Sequence, residues 1–301
     1  MLPPLERYET QPPHRRVASV ALGVTAYLDE PLHWARGGAR RLLEAFLERV
    51  PRERLTTYTT SMLADYRTIR PHEVEVLAQG LSVPDQVRPR HQFQFRLADA
   101  PGAPELGFAY REVDRRLDRT GVLQIVLPRS SDPATLRALV EHLADEPVHC
   151  AIAGYQLSYR EVDRPTAFWW GYEWARRFVG VDLQDADALA WEAHRGLPGT
   201  NWLTLVGTPF LRRWNVPLGE CVGRLNDASY TEHLGGALFQ AGPEPTLGDL
   251  NQLTYPYVYR EVAHALQPYL LATPPEYLGG FYRHQATQAW MHRFIDPESW
   301  K

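Results

Sequence analysis

Residues 199–207 read GTNWLTLVG, and residues 235–243 read GGALFQAGP. Each stretch has a short apolar centre between glycines, which is typical of a strand or of a strand-to-helix turn. Neither stretch contains a set of side chains that would make a catalytic centre. The second stretch continues through Glu244 into a loop that contains Gly248, Asp249 and Asn251. We therefore expect this part of the chain to build a scaffold and a surface.

Apolar periodicity predicts further elements on both sides of these stretches. Residues 17–28 are the longest apolar run, which is shorter than the about 18–20 residues that cross a bilayer. We interpret this run as the first core strand rather than a signal peptide, because Glu6 and Glu9 precede it. Further strands are predicted at residues 55–60, 92–97, 106–113 and 122–127, the last three at the spacing of an antiparallel meander. Helices are predicted at residues 31–50, 71–78, 133–144, 257–270 and 285–295.

The middle of the chain is aromatic. Six aromatic residues fall within eleven positions: Phe168, Trp169, Trp170, Tyr172, Trp174 and Phe178. They do not share one helical face, so we expect this segment to be buried on more than one side. No low-complexity segment or linker divides the chain. The predicted fold class is α+β, with a largely antiparallel or mixed sheet flanked by helices in a single compact unit. Residues 1–16 would form an extended arm and residues 17–301 one domain.

Charge and cysteine content exclude several classes of function. The formal net charge is −4, so the chain lacks the basic excess that neutralises phosphates, and we predict no direct binding to nucleic acid and no membrane association. Two cysteines are too few for a disulfide framework, which favours a reducing compartment. The eleven histidines lack metal-ligand spacing, and no phosphate-binding glycine loop is present. No cofactor or metal is therefore predicted.

One short motif suggests an enzyme. Residues 219–223 read GECVG, the form of a nucleophile elbow with Cys221 in place of serine. A pattern of five residues with two glycines arises easily by chance, and Pro217 stands where a strand would enter the turn. A small buried cysteine is the simpler interpretation. A cysteine hydrolase that uses Cys221 remains the alternative function.

An acidic stretch is the candidate binding feature. Its simpler interpretation is a solvated helix face, and its functional interpretation is a carboxylate patch that docks on a basic pocket of another protein. Two acidic residues of the later glycine-rich loop would contribute to the same surface, although the sequence does not fix the distance between the two groups. The six candidate partner-binding residues are Asp182, Asp185, Asp187, Glu192, Glu244 and Asp249.

The order of several segments resembles a known family. GYEWARRF at residues 171–178 is followed by GTNWLT at 199–204, by the glycine-rich stretch at 236–251 and by YREVA at 259–263. This order resembles the bacterial type VI secretion immunity family, whose founding members are cognate to toxins with the virus-type replication-repair nuclease domain. The resemblance covers residues 17–270.

The resemblance implies a cytoplasmic protein without enzymatic activity. Such a protein binds the catalytic domain of one secreted nuclease toxin and blocks its access to DNA, protecting the producing cell by stoichiometric inhibition. The resemblance gives neither the identity of the toxin nor the interface, which we expect in variable loops. A scaffold or adaptor protein with another partner is a third possibility.

Overall fold

The centre of the protein is one open antiparallel sheet. The structure, a computed structural model, describes residues 4–9, 14–32, 38–61, 63, 65–70, 73–74, 93–282 and 285–300. The strands in these residues are β1 (Glu6–Tyr8), β2 (Arg16–Leu28), β3 (Thr57–Thr60), β4 (Arg67–Thr68), β5 (Gln94–Ala98), β6 (Gly107–Arg111), β7 (Gly121–Leu127), β8 (Cys150–Tyr159), β9 (Leu203–Gly207), β10 (Ser229–His233) and β11 (Gly236–Gln240). Their order is β10-β11-β9-β8-β2-β7-β6-β5-β3-β4, and β1 pairs with β2. All these pairings are antiparallel, and β5, β6 and β7 form the predicted meander.

Helices cover the sheet. In the described part of the chain they are α1 (Gly38–Arg49), α2 (Pro133–Ala144), α3 (Arg164–Ala175), α4 (Ala186–Leu189), α5 (Thr208–Trp214), α6 (Leu218–Val222), α7 (Tyr257–Leu266), α8 (Ala286–Met291) and α9 (Pro297–Trp300). Helix α1 packs on α2 and β6, α2 contacts β2, β9 and β11, and α3 packs on β2 and β8. One continuous apolar core runs from Leu5 to Trp300. These features confirm the predicted α+β class and the single compact unit.

The predicted first core strand is the central strand of the sheet. Strand β2 pairs with β7 on one side and β8 on the other, and every residue after Arg16 is buried. Both faces of the sheet are therefore covered at this point. The predicted arm contributes β1 to the sheet, and Arg15 forms an ion pair with Asp163 at 2.8 Å. The division of the chain at residue 16 stays a prediction, and residues 1–3 and 10–13 lie outside the described residues.

The two glycine-bounded stretches are neighbouring strands. Leu203 pairs with Gln240 and Gly207 with Gly236, so β9 and β11 align over their full length. Gly207 is required by a close backbone contact, because a Cβ atom there would lie 1.6 Å from the Val148 carbonyl oxygen. The strand assignment is confirmed.

Short sequence patterns predicted several of the described helices. The Asp132 side chain accepts a hydrogen bond from the Ala134 N–H at 2.9 Å and caps α2, as an aspartate followed by proline predicts. The described part of the predicted helix at 31–50 is helical from Gly38, α7 ends earlier than predicted, and α8 is shorter than predicted. The helix predicted at 71–78 lies outside the described residues except at 73–74. No described helix has both the length and the hydropathy needed to span a membrane.

The aromatic segment forms α3, and it is buried on more than one side. Phe168 and Trp174 are in the core, and Trp170 stacks under the Arg7 guanidinium at 4.3 Å. Tyr172 packs against Trp300 with ring centroids 5.7 Å apart. Trp169 is half exposed, so the segment is not buried on every side.

Candidate functional site

Asp182 lies inside the protein beside β8. The Asp182 N–H donates to Tyr155 O at 2.7 Å, and the Leu157 N–H donates to Asp182 O at 2.9 Å. The carboxylate faces the Arg293 guanidinium at 3.3 Å and accepts a hydrogen bond from Gln184 Nε2 at 2.8 Å. Burial raises the pKa of the Asp182 carboxyl in spite of this ion pair. The expectation that Asp182 lies on the surface is therefore wrong, because its charge neutralises a buried arginine.

Arg293 explains why the buried carboxylate is needed. Its guanidinium is fully buried, stacks 4.1 Å from the Trp290 ring and 4.3 Å from the Phe294 ring, and donates to Val179 O at 2.8 Å. The pair Asp182–Arg293 therefore ties the C-terminal segment to the segment beside β8.

Asp185 is also buried. Its Oδ1 accepts a hydrogen bond from the Ala188 N–H at 3.1 Å, so it is the N-cap of α4, and Arg164 Nη1 lies 3.6 Å away. Burial raises the pKa of this carboxyl. The expectation of a solvent-exposed side chain is wrong here as well, because the cap holds Asp185 against the protein.

Asp187 lies within a group of three arginines. Arg111 and Arg119 both donate to its carboxylate, Arg119 at 2.6 Å, and Arg164 lies 3.8 Å away. Burial and a hydrogen bond with Asp187 raise the pKa of Glu161 to about 7. Burial by itself raises the pKa of Asp187, but the hydrogen bond from Glu161 and the arginines outweigh it and lower that pKa. Asp187 therefore belongs to an internal charge network.

The network around Asp187 borders a small cavity on the sheet face. The cavity has a volume of about 80 Å³ and is lined by Arg96, Gln124 and Tyr159 among others. Sites for small ligands measure about 300–1,000 Å³. This cavity has room for a few water molecules and not for a metabolite.

Of the other three candidate residues, Glu244 is exposed, Glu192 is half-buried and Asp249 is buried. Glu192 forms an ion pair with Arg195 at 2.9 Å. Glu244 is exposed in the loop after β11, and no ion pair of its carboxylate is found within the described ranges. Asp249 receives two hydrogen bonds from Arg177, at 2.8 and 2.7 Å, and these lower the pKa of its carboxyl.

The two acidic groups are connected through the backbone. The Val179 N–H donates to Gly248 O at 3.2 Å, and the Gly180 N–H donates to Leu247 O at 2.9 Å. The loop that carries Asp249 is therefore bonded directly to the segment that leads into Asp182. The six carboxylates nevertheless do not make one exposed patch, because most of them are paired with arginines. A role of these residues in partner binding stays a prediction.

The motif around Cys221 is helical. Cys221 lies within α6, which follows α5 and not a strand, so the strand-to-helix turn of a nucleophile elbow is absent at this position. The side chain is 3% exposed, and burial raises the pKa of its thiol. A thiol that stays protonated is a poor nucleophile. Cys221 is therefore a small core residue here.

Two exposed apolar residues were not identified from the sequence. Leu253 follows Asp249 in the loop that leads into α7 and is 89% exposed, and Tyr257 is the first residue of α7 and is 68% exposed. The signal in the sequence is weak, since a leucine between Gln252 and Thr254 is ordinary loop composition. Among the described residues, no group of three or more histidine, cysteine, aspartate or glutamate side chains is placed to hold a metal ion.

Comparison with known proteins relates this arrangement to a family. A family model described as type VI immunity for VRR-NUC (TsiV) matches residues 52–294. Among solved structures, the Pseudomonas aeruginosa T6SS protein PA0821 is similar with a TM-score of 0.75. The similarity covers 96% of this chain and 87% of that chain at 18% sequence identity, so it shows a shared fold. No curated protein matches the chain in sequence.

Proposed function

The chain belongs to the family of type VI immunity proteins for VRR-NUC, and on that premise we propose that it binds the nuclease domain of one cognate toxin and occludes it. The family match over residues 52–294 is the observation that carries the proposal. In this proposal the chain acts in the cytoplasm of the producing cell and protects it from a type VI secreted toxin.

Inhibition is by occupation of the nuclease surface, without chemistry on the toxin. The packing of Cys221 and the pairing of the buried carboxylates support this, because neither group is free to react with a bound substrate. The net charge of −4 favours association with a DNA-binding surface, which is basic.

The candidate interface includes the carboxylates of the predicted set that reach the solvent, of which Glu244 is exposed and Glu192 is half-buried. Glu192 and Glu244 are the members best placed to face a partner, since Asp182 and Asp185 are buried in the free protein. In this proposal the buried members act indirectly. Asp185 and Asp249 accept hydrogen bonds from backbone N–H groups of their own segments, and Asp182 neutralises Arg293.

The experiment that tests the proposal is a titration. The nuclease domain of the toxin encoded beside this chain is mixed with increasing amounts of the purified protein, and DNA cleavage is measured. We expect cleavage to stop at one molar equivalent, without dependence on incubation time, and light scattering to show a one-to-one complex.

Two results would contradict the proposal. Cleavage that continues with excess protein, together with no complex, would remove the immunity function for that toxin. Inactivation of the toxin by a small fraction of an equivalent, increasing with time, would show catalysis and refute occlusion.

A further inference from the structure

Leu253 combines two unfavourable features. It is 89% exposed, and its backbone has φ of +56°, in the left-handed region. An exposed leucine by itself is ordinary on a protein surface. A left-handed conformation in a residue other than glycine, asparagine or aspartate costs about 1–2 kcal/mol. Burial of the side chain does not compensate for the left-handed conformation of Leu253, so the presence of leucine at this position needs another explanation.

The other residues with positive φ show which residue types usually adopt this conformation. Asp118, Asn215 and Gln285 are the remaining non-glycine residues with positive φ in the described ranges, and all are polar. Asn215 ends α5 in the way that Leu253 ends the short 3-10 helix Leu250–Gln252. Glycine or asparagine is preferred at such a C-cap. Leu253 therefore occupies a position where local stability favours another residue.

Hydrogen bonds hold the backbone of the loop that carries Leu253. Asp249 caps the turn by accepting from the Asn251 N–H at 3.0 Å, and the Thr254 N–H donates back to Asp249 O at 3.1 Å. Arg177 holds Asp249 through two hydrogen bonds, and the Leu250 N–H donates to Arg177 O at 2.9 Å. The loop backbone is thus hydrogen-bonded to the segment that follows α3, and the leucine side chain extends from this bonded backbone.

An aromatic side chain follows at the start of α7. Tyr257 is 68% exposed, and its ring packs edge-on against Tyr255 with centroids 5.2 Å apart. Tyr255 is itself fixed, since its hydroxyl donates to Arg293 O at 2.8 Å. A tyrosine ring that is already packed, and a leucine whose backbone is already hydrogen-bonded, lose less conformational entropy when they enter a partner's pocket.

We propose that the loop of residues 249–257 is the anchor by which this protein docks on its toxin, with Leu253 and Tyr257 entering an apolar pocket of the nuclease domain. The inference rests on the proposed function and names the surface that performs it. The partner is a protein, because a leucine side chain has no group that recognises phosphate or a base. The net charge of −4 matches the basic surface by which a nuclease binds DNA.

The strain gives the proposal a distinctive test. In Leu253→Gly and Leu253→Asn the new residue adopts positive φ more readily, and no buried contact is lost. We expect the melting temperature of both variants to equal or exceed that of the wild type, while the affinity for the nuclease domain falls at least about tenfold. A residue with only a structural role would not separate stability from affinity in this direction.

A matched control is available in the β10–β11 turn. Leu234 is 84% exposed and has an ordinary negative φ, so Leu234→Gly removes an equally exposed leucine from another surface. We expect that variant to bind the nuclease domain with unchanged affinity. Affinity is measured by isothermal titration calorimetry with the purified full-length chain.

The outcomes distinguish a failure of this inference from a failure of the proposed immunity function. If the wild type binds the nuclease domain and both Leu253 variants bind it equally well, the anchor is refuted and the immunity function stands. If the wild type does not bind, the proposed function fails first. If light scattering shows that wild-type dimers dissociate in the Leu253 variants, the occupant is a second copy of this chain and the inference is overturned.

Discussion

Asp182→Asn tests the buried ion pair that joins the centre of the protein to its C-terminal segment. The substitution leaves the Arg293 guanidinium, which is fully buried, without a countercharge. Breaking one partner of such a pair destabilises a protein by about 3–5 kcal/mol. We expect a loss near the lower limit, because asparagine can still accept a hydrogen bond from Gln184, which donates to Asp182 at 2.8 Å.

The free energy of unfolding is measured in urea by tryptophan fluorescence. Glu244→Gln is the matched control, since it neutralises an exposed carboxylate, and it should change that free energy by less than about 0.5 kcal/mol. The double variant Asp182→Leu with Arg293→Met removes both buried charges. It should recover most of the loss, because an apolar pair of similar volume replaces a buried ion pair at little cost.

Two results would refute this reasoning. If Asp182→Asn is no less stable than Glu244→Gln, the buried charge of Arg293 does not need its partner. If the double variant is as unstable as the single one, the hydrogen bonds of Arg293 to Val179 and Trp290 carry the stability. Because Asp182 pairs with the buried Arg293, charge reversal at Asp182 would destabilise the fold and would not test the interface.

Three further predictions follow from local geometry. Gly207→Ala should lower the free energy of unfolding by more than about 2 kcal/mol in urea melts, because its Cβ would overlap the Val148 carbonyl. Gly219→Ala, which has open space around it, should leave that free energy unchanged or raise it. Cys221 should react with iodoacetamide far more slowly in the folded protein than in urea, and equal rates would show that the thiol is accessible. Glu161 has a folded-state pKa of about 7, raised from 4.5, so its contribution to stability is complete below pH 4.5 and is lost as the pH rises to about 7. Urea melts of Glu161→Gln should lack this decline, and a decline equal to that of the wild type would assign it to another group.

The sequence predicted the fold where the signals were local. Alternating apolar residues located β2, β6 and β7, and Asp132 with the following proline located the start of α2. Paired glycines located β9 and β11 because both strands pass close to neighbouring backbone. The sequence did not give the order of strands in the sheet, since strands far apart in the chain become neighbours.

The candidate site was harder to predict because its interactions join distant residues. Asp182 has the composition of a surface position, and its partner Arg293 lies 111 residues away. The left-handed turn at Leu253 depends on Asp249, which Arg177 holds from 72 residues away. The nucleophile-elbow pattern around Cys221 was misleading because it is purely local. Five residues do not determine whether a strand precedes them, and here a helix does.

The position of β2 also determines when the molecule can complete its fold. This strand is made early in synthesis, yet its neighbours β7 and β8 end only at Leu127 and Tyr159. During translation β2 therefore has only its short pairing with β1 until β7 is made, and its other edge stays unpaired until β8, which ends just past the middle of the chain, is made. Strand pairings between residues that are far apart in the sequence form slowly. We therefore expect the central pairing of the sheet to be completed only after β8 has left the ribosome.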